Sequence, residues 1–163
     1  MTLPATLSHG EIARRIPHHG DMCLLDAVTT WDDTHIQCLA TSHLVPTNPL
    51  RAQGRLGATC GVEYAAQAMA VHGALVGESM AGATQSRSPR AGYLASIRSV
   101  TLHVDRLDTL TAPLQISAER ITGDDNTVLY RFSLTAGETA LLSGRAVVVL
   151  DASALVRPPG TPA

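Results

Sequence analysis

The sequence contains no lysine; all 12 of its basic residues are arginine. Schiff-base catalysis and P-loop phosphate binding are therefore excluded, because both need a lysine amine. It also lacks a GxGxxG run and a GxSxG elbow, which argues against a dinucleotide fold and a serine hydrolase. Cysteine is scarce. Cys23, Cys38 and Cys60 stand at unrelated spacings with no CxxC pair or Cys/His cluster. No metal site is expected from them, and they read as buried thiols in a reducing cytoplasm. No apolar run approaches the roughly 18 residues that span a bilayer. His9, Glu11, Arg14, Arg15, Pro17, His18 and His19 interrupt the N-terminal stretch, so it does not read as a secretory signal. Arg14-Arg15 is not followed by the apolar segment of a twin-arginine signal, since Asp21 and Asp26 intervene. A cytoplasmic location is expected. The net charge of −2 provides no global basic field for nucleic acid. No internal repeat is visible.

What is present suits one core. The chain has 163 residues, 45% hydrophobic and 16% charged, which fits a single domain. That domain is expected over 1–150. The remainder, 151–163, carries Pro158, Pro159 and Pro162 and is expected to be a disordered tail. A short helix is expected over 10–16, stopped by Pro17. An apolar run covers 22–28, and 35–42 alternates as a half-buried strand does. Pro46, Asn48, Pro49, Gly54 and Gly57 make 45–57 a loop. The long helix is expected over 58–75. It is apolar nearly all round, so it belongs in an interior rather than on a surface. A flexible connection is expected over 77–90. Strands follow over 93–104, 114–121, 127–135 and 141–150, joined by hairpin-length turns, and are therefore antiparallel. The class is α+β. One sheet face cannot satisfy a helix that is apolar all round. A curved antiparallel sheet wrapped around it, extended by a second subunit, can.

Glu63 is the most informative residue, a carboxylate near the start of that apolar helix. Two readings stand. It caps the helix or faces a subunit boundary, or it is a general acid or base in a desolvated cleft. Gln67 lies one turn on, placed to orient it. Among seven histidines, His9 and His35 read as exposed, His18 and His19 as turn residues, and His103 as a strand residue facing away from the core. His72 is too far along the helix axis to touch Glu63 within one chain. His43 ends a strand just before the loop that leads into the helix, and alone is placed to return towards the helix start. The loop residues Gly57 and Ala58 deliver backbone amides to that start, where a developing oxyanion on a substrate would be held.

Several segments resemble the bacterial β-hydroxyacyl-[acyl carrier protein] dehydratases. Residues 16–28, beginning Ile16-Pro17-His18, resemble that family's opening motif. Asn48-Pro49 with Gln53-Gly54 resembles its "NEPFFQGHFP" loop. Glu63-Tyr64-Ala65-Ala66-Gln67-Ala68 resembles its "EAMAQ" helix, and 92–97 resembles the following strand. Among these, the chain looks closest to the divergent dehydratase-like proteins of aryl polyene gene clusters. The resemblance implies a hotdog fold, an obligate dimer or hetero-assembly with another hotdog protein, and substrates carried on the phosphopantetheine of an acyl carrier protein. It implies no other cofactor. It also implies a histidine that removes the α-proton and a carboxylate, matched by Glu63, that helps the β-hydroxyl leave. The histidine does not carry over, because Arg55 stands in its place and stays protonated. His43 is the expected replacement. Arg55 is then left to bind substrate, and Arg87 and Arg90 to dock an acidic carrier. Two other readings remain: a thioesterase in which Glu63 activates water, and a silent acyl-binding or partner subunit.

Overall fold

The computed structural model describes residues 7–81, 93–124 and 126–149. Seven strands form one antiparallel sheet: β1 (Leu7–Ser8), β2 (Ala27–Trp31), β3 (His35–Ala40), β4 (Tyr93–Leu102), β5 (Leu114–Gly123), β6 (Thr127–Ala136) and β7 (Thr139–Val149). Their order is β1-β2-β3-β5-β6-β7-β4. Two helices accompany them, α1 (His9–Ala13) and α2 (Gly61–Ala81). The expected class holds and β3 to β7 fall where expected, whereas β1 forms in the stretch read as a loose start and β2 covers Ala27–Trp31 rather than the apolar run 22–28. Period-two alternation is clearest on β6. On β6, Val128, Tyr130, Phe132, Leu134 and Ala136 are buried, and the residues between them face outward.

Helix α2 packs against β3, β5 and β6. No residue from Gly61 to Val76 is exposed, as its all-round apolar sequence requires. The first turn sits close on the sheet. A Cβ at Gly61 would lie 2.5 Å from Leu142 Cδ2 and 3.2 Å from Leu134 Cδ2, so a larger residue would push the helix away. The helix start differs from expectation, since 58–60 form a 3-10 turn. Its end differs more, running to Ala81 and into the segment read as a flexible connection. There Arg15 Nε pairs with Glu78 Oε1 at 2.9 Å, tying the last turns to the end of α1. Residues 82–92, which contain Arg87 and Arg90, and the proline-bearing tail lie outside the described residues.

Farther along the helix, His72 is buried between two fixed partners. Its Nδ1 lies 2.7 Å from the Tyr130 hydroxyl and its Nε2 lies 2.8 Å from the Asp32 carbonyl. Burial holds its pKa below 6.5 and pushes Tyr130 up to about 12. A depressed histidine favours the neutral folded state. Its contribution is complete above the unfolded value near 6.5 and declines as pH falls below it, because the unfolded chain then binds the proton first. Tyr130→Phe is expected to cost about 1–3 kcal/mol, by leaving a buried ring nitrogen without its partner. Urea unfolding of both proteins between pH 5 and 8, a range set by the histidine pKa, checks the slope and the difference.

One part of the sheet is left uncovered. Leu94, Ile97, Val100 and Leu102 share the inner face of β4 with the core, yet are 38%, 40%, 38% and 44% exposed. β4 is also an edge strand, without the proline or lysine that usually guards such an edge. The chain is therefore expected to sediment as an assembly larger than its 17.1 kDa monomer, and Ile97→Glu to shift it towards the monomer. A wild-type monomer in sedimentation velocity, alone and with a co-expressed partner of the same fold, would contradict this.

Candidate active site

Two segments converge at the start of α2. Pro17 ends the α1 segment. The chain then passes through His18 and His19 into a 3-10 turn at Gly20–Met22, where Gly20 takes φ +57°, a conformation open to glycine. Ile16, Leu24 and Leu25 are buried on either side and anchor this turn to the core. Gln67, fully buried on α2, locks it in place: its Oε1 accepts from Leu24 N at 2.9 Å, and its Nε2 donates to the Met22 carbonyl at 2.7 Å.

The same Gln67 Nε2 also reaches Glu63 Oε1 at 3.2 Å. On the other side His18 Nε2 lies 3.0 Å from that oxygen. Both side chains are partly open, 26% exposed for His18 and 33% for Glu63. Glu63 Oε1 therefore meets two nitrogens, and no described residue engages Oε2. His18 Nδ1 is buried without a partner. The short contact lets a proton pass between imidazole and carboxyl in a half-buried setting.

The other expected residues are dispersed. His43 is buried, and its Nε2 bonds the Leu110 carbonyl at 2.8 Å. The expectation that His43 meets Glu63 is thus corrected, since the imidazole turns to a backbone acceptor on the segment between β4 and β5. Burial lowers its pKa, and its Nδ1 has no partner. Arg55 sits at a tight turn whose central residues, Gln53 and Gly54, have φ of 53° and 73°. That turn leaves Arg55 exposed, and Glu63 takes its partners elsewhere. The amide of Ala58 is spent on the Asp105 carbonyl at 2.9 Å, which removes it as an oxyanion donor. Gly57 lines a cleft of about 320 Å³ with Thr59, His103 and Asp105. The three cysteines are free thiols with pKa values raised by burial, Cys38 to about 12, so none is poised as a thiolate nucleophile. The sequence reads His18 as a turn residue, and the signal that marks it is its place in the Ile16-Pro17-His18 motif.

The model of the ApeP-like family, described as ApeP dehydratase, matches residues 10–156. The chain belongs to the ApeP-like dehydratase family. Among solved structures it is similar to the dehydratase heterocomplex ApeI:P from Xenorhabdus doucetiae, at 22% identity over 93% of each chain with a TM-score of 0.73. It is also similar to a hypothetical thioesterase with coenzyme A from Streptococcus pneumoniae, at 13% identity over 76% of this chain and 84% of that one, TM-score 0.54. A third likeness is to the E. coli PaaI protein of the phenylacetic acid degradation operon, at 10% identity over 75% and 80%, TM-score 0.53. No curated protein sequence matches. These likenesses show the hotdog fold, and the family match makes the chain a divergent hotdog dehydratase related to those of aryl polyene clusters. Among the described residues, no helix is long and apolar enough to cross a membrane.

In this ApeP-like chain Gln67 links the helix to the His18 turn, so its loss is expected to do two things. Gln67→Leu should cost about 1–3 kcal/mol, since Leu24 N–H and the Met22 carbonyl lose a buried partner. It should also release His18 from Glu63. Thermal unfolding reads the first effect, and a change in the His18 ring resonances by NMR reads the second.

Proposed function

We propose that this chain dehydrates 3-hydroxyacyl thioesters carried on the phosphopantetheine of an acyl carrier protein, with His18 and Glu63 as the proton-transferring pair. The observation that carries the reading is the 3.0 Å contact between His18 Nε2 and Glu63 Oε1 at the start of the buried helix. Dehydration needs one group to take the α-proton and another to protonate the departing β-hydroxyl. A neutral imidazole with its lone pair on Nε2 beside a protonated carboxyl supplies both. Nε2 takes the α-proton, the electrons form the α,β double bond, the C–O bond breaks, and the hydroxyl leaves as water with the proton of the Glu63 carboxyl. The proton then crosses from imidazolium to carboxylate and restores the pair. Negative charge building on the thioester oxygen is favoured near the start of α2, where the helix dipole is positive. No cofactor is needed beyond the substrate's own phosphopantetheine. The active form is an assembly through β4, homodimeric or with a second hotdog protein; the similar ApeI:P dehydratase is itself a heterocomplex.

A thioesterase is the second reading. The observation favouring it is that no described residue engages Glu63 Oε2, which leaves that oxygen available to activate a water. Carrier-bound 3-hydroxyacyl and enoyl thioesters separate the readings. Their interconversion supports dehydration, release of free acid supports hydrolysis, and binding without turnover supports a silent subunit. Glu63→Gln and His18→Asn are each expected to lower dehydration by roughly 10²–10⁴-fold with unchanged circular dichroism. Full activity in either folded variant would remove that residue from the mechanism, and His43→Gln is expected to keep the most activity of the three.

A further inference from the structure

The outer face of the sheet, opposite α2, carries a charge pattern that the proposed chemistry does not use. Residues directly opposite on antiparallel strands share a face, so the register defines rows across the sheet. One row runs from Arg98 on β4 to Arg145 on β7, Arg131 on β6, Glu119 on β5 and His35 on β3. Beside it runs a row of small or uncharged side chains: Thr101, Ser143, Ser133, Ser117 and Gln37. Long guanidinium side chains next to short hydroxyls leave a groove of about 520 Å³, lined by His35, Ser117, Glu119, Arg131, Ser143 and Arg145 among others.

Three arginines on three adjacent strands repel one another, since like charges directly opposite destabilise a sheet. Only Arg131 has a carboxylate within reach, Glu119 Oε2 at 3.5 Å. Arg98 and Arg145 pair with no described residue. The chain as a whole is negative, at −2, so this row is a local concentration of positive charge rather than part of a basic surface.

We propose that this groove docks an acidic protein helix whose carboxylates recur one turn apart. Neighbouring strands lie about 4.8 Å apart, and side chains four apart on a helix lie about 5–6 Å apart. Successive carboxylates on such a helix therefore meet successive arginines, and the serine hydroxyls supply further donors. The three arginines cross three strands, about 10 Å at that spacing, longer than a single phosphate, and Glu119 on β5 marks the end of the basic stretch. Its arginines are exposed, Arg131 by 55%, and do not converge into a buried pocket as a small-anion site would require. Docking here leaves the His18–Glu63 pair free, and the proposal does not depend on the chemistry assigned to that pair.

The probe is a fluorescein-labelled alanine-rich helical peptide with glutamate at every fourth position, and its glutamine counterpart as control. Anisotropy at low and moderate salt reads binding to the full chain in its assembled form. The glutamate peptide is expected to bind, to weaken as salt rises, and to lose about tenfold or more in affinity on Arg145→Glu. Arg145→Gln should give a smaller loss in the same direction. Arg14→Glu makes the same charge change at an exposed site elsewhere and is expected to leave affinity within about twofold. Circular dichroism confirms that each variant is folded. Absence of binding, equal binding of the glutamine peptide, or equal losses in Arg14→Glu and Arg145→Glu would overturn the proposal. So would displacement by millimolar inorganic phosphate at constant ionic strength, which would mark a small-anion site. Salt-sensitive self-association abolished by Arg145→Glu would overturn it as well, by assigning the groove to a second copy of the chain.

Discussion

Burying the whole circumference of α2 is the constraint on which the rest of the structure depends. A helix whose first 16 residues include none exposed cannot lie on a flat sheet with its far side in water, because each buried Leu, Met or Val contributes about 1.5–3 kcal/mol only while it stays covered. The sheet curls, α1 and the turn after Pro17 close over one flank, and the loop over 41–57 closes over the other. Tyr64 fastens that second flank from inside, with its hydroxyl 2.7 Å from Ser42 Oγ and 3.2 Å from Asn48 Nδ2. The same demand explains the open inner face of β4. The helix covers β3, β5 and β6, and among the described residues apolar side chains of β4 are left over at the sheet edge.

The candidate site follows from that wrapping. A carboxylate in a buried helix must find partners, and the segments that close over the helix start provide them. Gln67 joins structure to chemistry, since one amide holds the turn that carries His18 and touches Glu63. This coupling makes the short His18–Glu63 contact a property of the core rather than of a mobile surface loop. Arg55 is carried outward by a turn with two left-handed residues, so the position where the dehydratase motif has a histidine is spatially unavailable as well as chemically unsuited to act as a base.

The two faces of the sheet have been given separate tasks. The inner face is apolar and committed to α2. The outer face is a polar field in which hydroxyls and arginines are sorted into rows by strand register, a sorting that no single strand reveals. Arg98, Arg131 and Arg145 are far apart in sequence and lie on three different strands, and only pairing brings them side by side.

By itself the sequence determined the α+β class, the strands that follow the helix, the burial of the long helix and the placing of a carboxylate, Glu63, at its start. Each of these rests on short-range pattern: alternation with period two, an apolar helix without a polar face, and a lone carboxylate at its start. Tertiary structure alone decided which histidine meets that carboxylate. His43 and His18 both approach the helix start along the chain, and their ring directions depend on contacts with residues 67 and 45 positions away, Leu110 and Glu63. The helix end was decided the same way, through Arg15 and Glu78, 63 residues apart. Periodicity reports which face of an element is buried, but hydrogen bonds between distant segments direct individual polar side chains, and those pairings exist only once the sheet has closed around the helix.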